Sequence, residues 1–275
     1  MMIEARPGAS SISSSLMAPS IAARAADLLP YAPDSMARRV HGEGILLLGG
    51  GRALLMQIAH PAVARGVAEH SNFRGDRLGR LLRTLRPMLA IVFGTREEAL
   101  AAAGHVNRLH ERVNGPGYNA TDPALLLWVF ATLVDTTLAM HERFLRPLSP
   151  EEAAAYYRDM HVLARLLRIA PEAMPETVEE LETYTASMCD SLRVTEEARA
   201  ICEALFDVGP AAWPVMQTVR HVSAGLLPPG LRGQFGLSWG PKRERALRGL
   251  EAAARFVMPR VPERLRAPPW FLMPG

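Results

Sequence analysis

Hydrophobic residues recur every three or four positions along most of the chain, and this spacing predicts helices. No stretch shows the sustained alternation of apolar and polar residues that is typical of a strand. Together with capping signals and glycine or proline breaks, the pattern predicts helices over residues 49–59, 76–93, 96–113, 123–144, 150–169, 177–189, 195–207, 211–226 and 241–258. The predicted fold class is all-α.

The composition changes at both ends of this helical region. Residues 1–35 are rich in Ser, Ala and Pro, which predicts a flexible N-terminal arm. Residues 36–258 form the predicted single multi-helix domain. Residues 259–275 are Pro-rich and are predicted to be an irregular tail. With 49% hydrophobic and 21% charged residues, the chain has the composition of a globular protein with a full core.

The predicted helix at 123–144 is apolar nearly all round, which is typical of a buried central helix. Asp135 interrupts it, and a buried carboxylate needs a partner, so we expect an ion pair with an arginine. The helix is also just long enough to span a bilayer. A central helix is the interpretation adopted here, with a membrane span as the alternative.

Charge and cysteine usage narrow the possible partners and location. The 31 basic residues are set against 28 acidic ones, and no basic tract is dense enough for a nucleic-acid face. No charged segment leads into an apolar run near the N-terminus, as it would in a secretory signal. Cys189 and Cys202 are predicted to be buried thiols in a reducing compartment, so we expect a cytoplasmic protein.

Two helix faces carry polar groups in unusual settings. On the helix at 96–113, His110 falls on the apolar stripe with Ala99 and Ala103, whereas His105 falls on the opposite, polar side. His110 is therefore predicted to point inward, either as a core histidine bonded to a carbonyl or as a ligand of a metal or haem.

The second face belongs to the helix at 76–93, where Arg80 and Thr84 align with Pro87 and Ile91. A guanidinium above a hydroxyl and apolar groups suits the wall of a ligand pocket. A surface arginine with a threonine below it is the alternative.

Other familiar motifs fail. His110-Glu111 and His141-Glu142 begin like the zinc-protease motif HExxH but lack its second histidine, which excludes that site. The glycines at 49–51 form neither a phosphate-binding loop nor a dinucleotide fingerprint, and they are predicted to serve helix entry and close packing. His60-Pro61 is predicted to end a helix.

An ordered set of stretches resembles the MpaB/rubber-oxygenase (latex-clearing protein) catalytic-domain family over about residues 36–240. The stretches are GGGRALLMQIAHPAVA at 49–64, EHSNF at 69–73, Arg80 with Thr84, FGT at 93–95, His110, YNATDP at 118–123 and LWVFATLVD at 127–135.

The resemblance implies an all-helical domain that binds b-type haem and cleaves carbon–carbon double bonds of isoprenoid chains with dioxygen. His110 takes the position of the family's proximal iron ligand, and Arg80 and Thr84 take positions that line the haem site. The expected partners are therefore dioxygen and an apolar or prenyl small molecule; the oligomeric state stays open.

The chain departs from its relatives at three positions. Asn107 and Asn114 stand where relatives often carry arginines, which affects pairing with haem propionates, and Phe130 stands where many carry histidine. Two other functions stay open. One is a non-enzymatic helical protein that binds a lipid or prenyl compound without haem; the other is a peroxidase-like or monooxygenase activity.

Overall fold

The computed structural model describes residues 29, 31–70, 77–207 and 213–269, without the side chains of 77–84. Its helices are α1 (Met36–His41), α2 (Gly50–Ala59), α3 (Pro61–His70), α4 (Arg77–Phe93), α5 (Arg96–Arg112), α6 (Pro123–Phe144), α7 (Pro150–Leu166), α8 (Val178–Ser191), α9 (Glu196–Phe206), α10 (Trp213–Leu226), α11 (Pro229–Gln234), α12 (Pro241–Val257) and α13 (Glu263–Arg266). Short 3-10 helices cover Gly44–Gly49, Pro171–Ala173 and Met258–Arg260, and a two-stranded hairpin pairs β1 (Asn114–Gly115) with β2 (Tyr118–Asn119).

The all-α prediction is confirmed, and local capping explains where several helices begin. Thr95 and Ser149 each accept a hydrogen bond from the backbone of a glutamate three residues on, and that glutamate's carboxylate accepts one in return. At the start of α8 only half of such a capping box forms. Thr177 caps Glu180, but the Glu180 carboxylate accepts from the Glu176 backbone instead.

The sequence pattern missed four short helices: α1, α3, α11 and α13. Pro61 ends α2 at His60, as predicted, but it also begins α3, because proline fits the first turn of a helix. Helix α13 shows that the tail is not irregular throughout. Its Arg266 forms an ion pair with Glu43, at 2.6 Å, near the start of the domain. Residues 1–28 of the predicted arm and 270–275 of the tail lie outside the described residues.

Helix α6 is the central helix of the described region. It packs against α2, α7, α8 and α12. Its aromatic residues Trp128, Phe130 and Phe144 are fully buried and belong to three separate apolar clusters. By length and composition α6 alone among the described helices could also cross a membrane, with a mean hydropathy of 1.6. In the fold it joins the three apolar clusters.

The ion pair predicted for Asp135 is present, and its partner is Arg52 of α2. The guanidinium lies 2.7 Å from the Asp135 carboxylate and donates to Thr136 Oγ1, also at 2.7 Å. Its Nε donates to the Leu226 carbonyl of α10 at 2.8 Å. One arginine thus joins α2, α6 and α10. Next to it, the close approach of α2 to Ser223 leaves no room for a side chain at Gly51.

Candidate functional site

Helices α4 and α5 form an antiparallel hairpin that positions the candidate residues. The two helices pack along their lengths and are joined by Gly94 and Thr95. Arg80 and His110 lie almost equally far from this turn, about 20 Å along their helices at 1.5 Å per residue. The backbone of Arg80 therefore stands at the level of His110. The side chains of Arg80 and Thr84 lie outside the described residues.

His110 occupies the inward-facing side of α5 that the sequence predicts, while His105 is exposed. The ring is partly buried. Its Nδ1 atom is fully buried and has no hydrogen-bond partner among the described residues. Burial lowers the pKa of His110, so the imidazole is neutral at pH 7. A neutral imidazole with an uncommitted nitrogen is the form that ligates a metal.

Two other histidines share both of these properties, since burial also lowers the pKa of His161 and that of His221. His161 and His221 each have a buried Nε2 without a partner in the described part of the chain. Both rings are packed against aromatic side chains, Tyr157 at 4.6 Å and Trp239 at 5.2 Å between ring centroids. Neither histidine lies on the α4–α5 hairpin, so they serve as comparisons for His110 rather than as parts of the same site.

The chain after α5 is fixed by a short series of backbone bonds. The Val113 amide donates to the His110 carbonyl at 3.0 Å, and the Ala120 amide donates to the Val113 carbonyl at 2.9 Å. The hairpin between them turns at Gly117, whose φ of 82° suits glycine. These bonds tie the C-terminal end of the His110 helix to β2.

A network of polar side chains joins this hairpin to the end of α3. The Tyr118 hydroxyl donates to Glu69 Oε2 at 2.6 Å and lies 2.9 Å from His70 Nε2. The bond to Glu69 raises the pKa of Tyr118. All three residues fall in the family-like stretches at 69–73 and 118–123, but nothing local in the sequence shows that residues about fifty positions apart will meet.

The positions that depart from the family pattern serve structural purposes here. Asn107 is buried, and its side-chain amide donates to the Leu166 carbonyl at 2.9 Å, which joins α5 to the end of α7. Asn114 is exposed and donates to the Glu111 carbonyl. Phe130 lies in the largest apolar cluster. The two asparagines thus bond backbone carbonyls of the protein, and Phe130 packs in the core; none of the three offers a cationic group to a ligand.

The described residues offer no group of three or more His, Cys, Asp or Glu side chains that could hold a metal ion. A metal held by protein ligands alone thus has no candidate site in that part of the chain, whereas haem iron needs only one axial side chain. Cavities of about 260 and 270 Å³ lie elsewhere, against Phe144 and Val222 and against Tyr157 and His161. His110 lines neither of them.

Comparison with known proteins identifies the family to which the chain belongs. Residues 38–257 match the family described as "ER-bound oxygenase mpaB/B'/Rubber oxygenase, catalytic domain". Two mycobacterial relatives, the uncharacterized protein Mb2261 of Mycobacterium bovis and the uncharacterized protein Rv2237 of Mycobacterium tuberculosis, are each 26% identical over 224 residues, 77% of this chain and 88% of theirs. No solved structure matches significantly. Because the family match covers most of the chain, the protein belongs to the mpaB/rubber oxygenase catalytic-domain family.

Proposed function

We propose that the protein is a haem b-dependent oxygenase in which His110 would bind the iron. One observation carries the proposal: the buried Nδ1 of His110 has no partner among the described residues, in a chain whose family is an oxygenase catalytic domain. Buried polar atoms in folded proteins are normally hydrogen-bonded, so an exception calls for a missing partner. The neutral imidazole fits that partner's chemistry.

The chain's own residues have distinct parts in this proposal. When bound, the haem iron supplies the activation of dioxygen. His110 holds the group from α5, and its burial keeps the ring neutral and able to bind. Arg80 and Thr84 lie one turn apart on the facing helix, α4. We propose that they donate hydrogen bonds to a haem propionate or to bound dioxygen.

The substrate is proposed to be an apolar olefin such as an isoprenoid chain, with dioxygen as the second substrate. This assignment follows from the resemblance to the oxygenase family that residues 38–257 match. We also propose a cytoplasmic location, since both cysteines are free and buried and suit a reducing compartment.

The test compares His110→Ala with His161→Ala. Both variants remove a histidine that has one buried, unpartnered ring nitrogen, but only the first lies on the proposed site. With ample haem supplied during expression, we expect the wild type and His161→Ala to carry near-stoichiometric haem by pyridine haemochrome assay. His110→Ala should lose at least about tenfold in haem affinity, about 1.4 kcal/mol or more.

Oxygen uptake with isoprenoid olefins then tests the reaction. A His110→Ala variant that keeps the wild-type Soret band and oxygen uptake would overturn the assignment of the ligand. A wild-type chain that takes up no haem would favour the alternative, a helical protein that binds an apolar ligand without iron. Products that carry only one oxygen atom from labelled dioxygen would favour a monooxygenase over a double-bond-cleaving dioxygenase.

A further inference from the structure

We propose that Tyr118 is a positioning residue for His110, and that its hydroxyl acts by fastening α3 to the turn that follows the His110 helix. The inference rests on the proposed function, because it assigns Tyr118 a part in the site built around His110. It begins from the hydroxyl group of a largely buried tyrosine, which lies between two exposed side chains of α3, Glu69 and His70.

The direction of the hydrogen bonds follows from proton count. A phenol has one proton, and Tyr118 donates it to the Glu69 carboxylate at 2.6 Å, the short distance of a charge-assisted bond. The His70 Nε2 atom, 2.9 Å from the same oxygen, must therefore be the donor of the second bond. His70 thus donates to the Tyr118 hydroxyl, which donates in turn to Glu69. Both hydrogen-bond partners of the hydroxyl lie at the C-terminal end of α3.

Helix α3 also packs closely against the β1–β2 hairpin next to this hydroxyl. A Cβ atom placed on Gly66 of α3 would lie 3.3 Å from the Val113 side chain and 3.5 Å from the Tyr118 ring. Arg65, one residue earlier, donates to the Pro116 carbonyl of the hairpin at 3.1 Å. The last turns of α3 are thus pressed against the hairpin, with Tyr118 at the centre of the contact.

The contact reaches His110 through the backbone. Val113, which packs on Gly66, donates to the carbonyl of His110 and accepts from Ala120. A shift of the hairpin away from α3 would move Val113, and with it the final turn of α5 that carries His110. The Tyr118 hydroxyl is therefore placed to fix the position of the imidazole through the backbone that joins them.

The first test needs no haem. Hydrogen exchange of the full-length haem-free chain, followed by mass spectrometry, compares Tyr118→Phe with Tyr157→Phe. Tyr157 is a matched control, since its buried ring also makes a hydroxyl bond, to the Pro175 carbonyl at 2.8 Å, far from the hairpin. In Tyr118→Phe we expect peptides over 110–120 to exchange about tenfold faster, because the charge-assisted bond to Glu69 is lost. Tyr157→Phe should leave those peptides unchanged.

The second test reads the iron site. Haem dissociation, measured by transfer to an apo-globin acceptor, should be about tenfold faster in Tyr118→Phe and Glu69→Leu, with a shifted Soret band. Glu69→Gln should behave like the wild type, because the amide oxygen still accepts from the hydroxyl. This rescue separates positioning by the bond from a general loss of packing.

The outcomes are distinguishable. Unchanged exchange over 110–120 in Tyr118→Phe overturns the inference whether or not the chain binds haem. Faster exchange with an unchanged Soret band and dissociation rate also overturns it, because the turn would then be loosened without consequence for His110. A wild-type chain that binds no haem would instead defeat the proposed function, and the positioning role with it, even if the exchange result is as expected.

Discussion

Two buried polar side chains, Arg52 and His110, are treated in opposite ways by the fold. Arg52 is more deeply buried, yet its guanidinium has partners on α6 and α10: a carboxylate, a hydroxyl and a carbonyl. His110 is only partly buried, but its inward-facing nitrogen has no partner among the described residues. The cationic group is satisfied within the chain, and the neutral one finds no partner in the part of the chain that the structure describes.

The difference indicates two kinds of purpose. A buried charge without a partner would be too costly to keep, so Arg52 must be fully paired for the domain to fold at all. An unpaired imidazole nitrogen costs far less, on the order of 1–3 kcal/mol, which a folded domain can tolerate where binding needs it. The pairing of Arg52 therefore contributes to stability, whereas the unpaired nitrogen of His110 is the feature on which the proposed ligand site rests.

The largest expected effect comes from breaking the stable region. Arg52→Met leaves the Asp135 carboxylate in the interior without a partner, so we expect the free energy of unfolding to fall by about 3–5 kcal/mol in urea titrations. The haem bound per folded molecule should not change, because the ion pair lies outside the α4–α5 hairpin.

The double variant Arg52→Met/Asp135→Leu provides the control. It removes both charges, and we expect it to recover most of the lost stability, since no carboxylate is then left unpaired. Equal stability of the single and double variants would show that Arg52 acts through its bonds to Thr136 and Leu226 rather than through the ion pair.

Much of this fold can be predicted from local signals, and the reason is physical. Capping residues such as Thr95 and Ser149 act within one turn, so the sequence alone places the starts of α5 and α7. Helices α1 and α13 are too short for their hydrophobic period to be read. Distant groups hold them in place, as when Arg38 of α1 donates to the Phe93 carbonyl at the end of α4.

The candidate site divides in the same way. The inward direction of His110 follows from helical periodicity, a property of five consecutive turns of one helix. That Asp135 needs an arginine also follows from burial, but the choice of Arg52 does not, because the partner is more than eighty residues away. No local signal in the sequence predicts the role of Tyr118. Its partners depend on how the hairpin of β1 and β2 packs against the end of α3.

Lowering the pH tests the stability of the fold at another histidine, His41, whose buried imidazole must gain a charge in acid. Burial lowers the pKa of His41 to about 4, below the ordinary value of about 6.5. Between these values the unfolded chain binds the proton more readily, so stability is full above pH 6.5 and is lost as the pH falls toward 4. At about 1.4 kcal/mol per pH unit, the loss reaches at most roughly 3 kcal/mol.

Urea titrations at pH 7.5, 6.5, 5.5 and 4.5 measure this loss. The control is His41→Gln, whose amide can still bond the Tyr156 hydroxyl, 3.2 Å from His41 Nε2, but does not titrate. We expect a flatter profile for the variant. The Arg146–Glu152 ion pair holds the pKa of Glu152 at about 2, below its unfolded value of about 4.5, so its loss sets in only at the lowest of these pH values and is the same in both chains. Parallel profiles for the two chains would contradict the prediction.

The smallest effect is the sharpest test of the comparison, because it uses the same substitution at two histidines. His141 Nδ1 lies 2.7 Å from the Arg146 carbonyl oxygen, and because a carbonyl can only accept, the histidine is the donor. His141→Leu should therefore cost about 1–2 kcal/mol by leaving that carbonyl without its partner. His110→Leu removes a nitrogen that bonds nothing among the described residues and adds apolar volume. In the haem-free chain it should therefore leave the free energy of unfolding unchanged or raise it by up to about 1 kcal/mol. Equal losses at the two positions would mean that His110 is an ordinary core histidine, because a side chain kept for a ligand contributes its stability only when that ligand is bound.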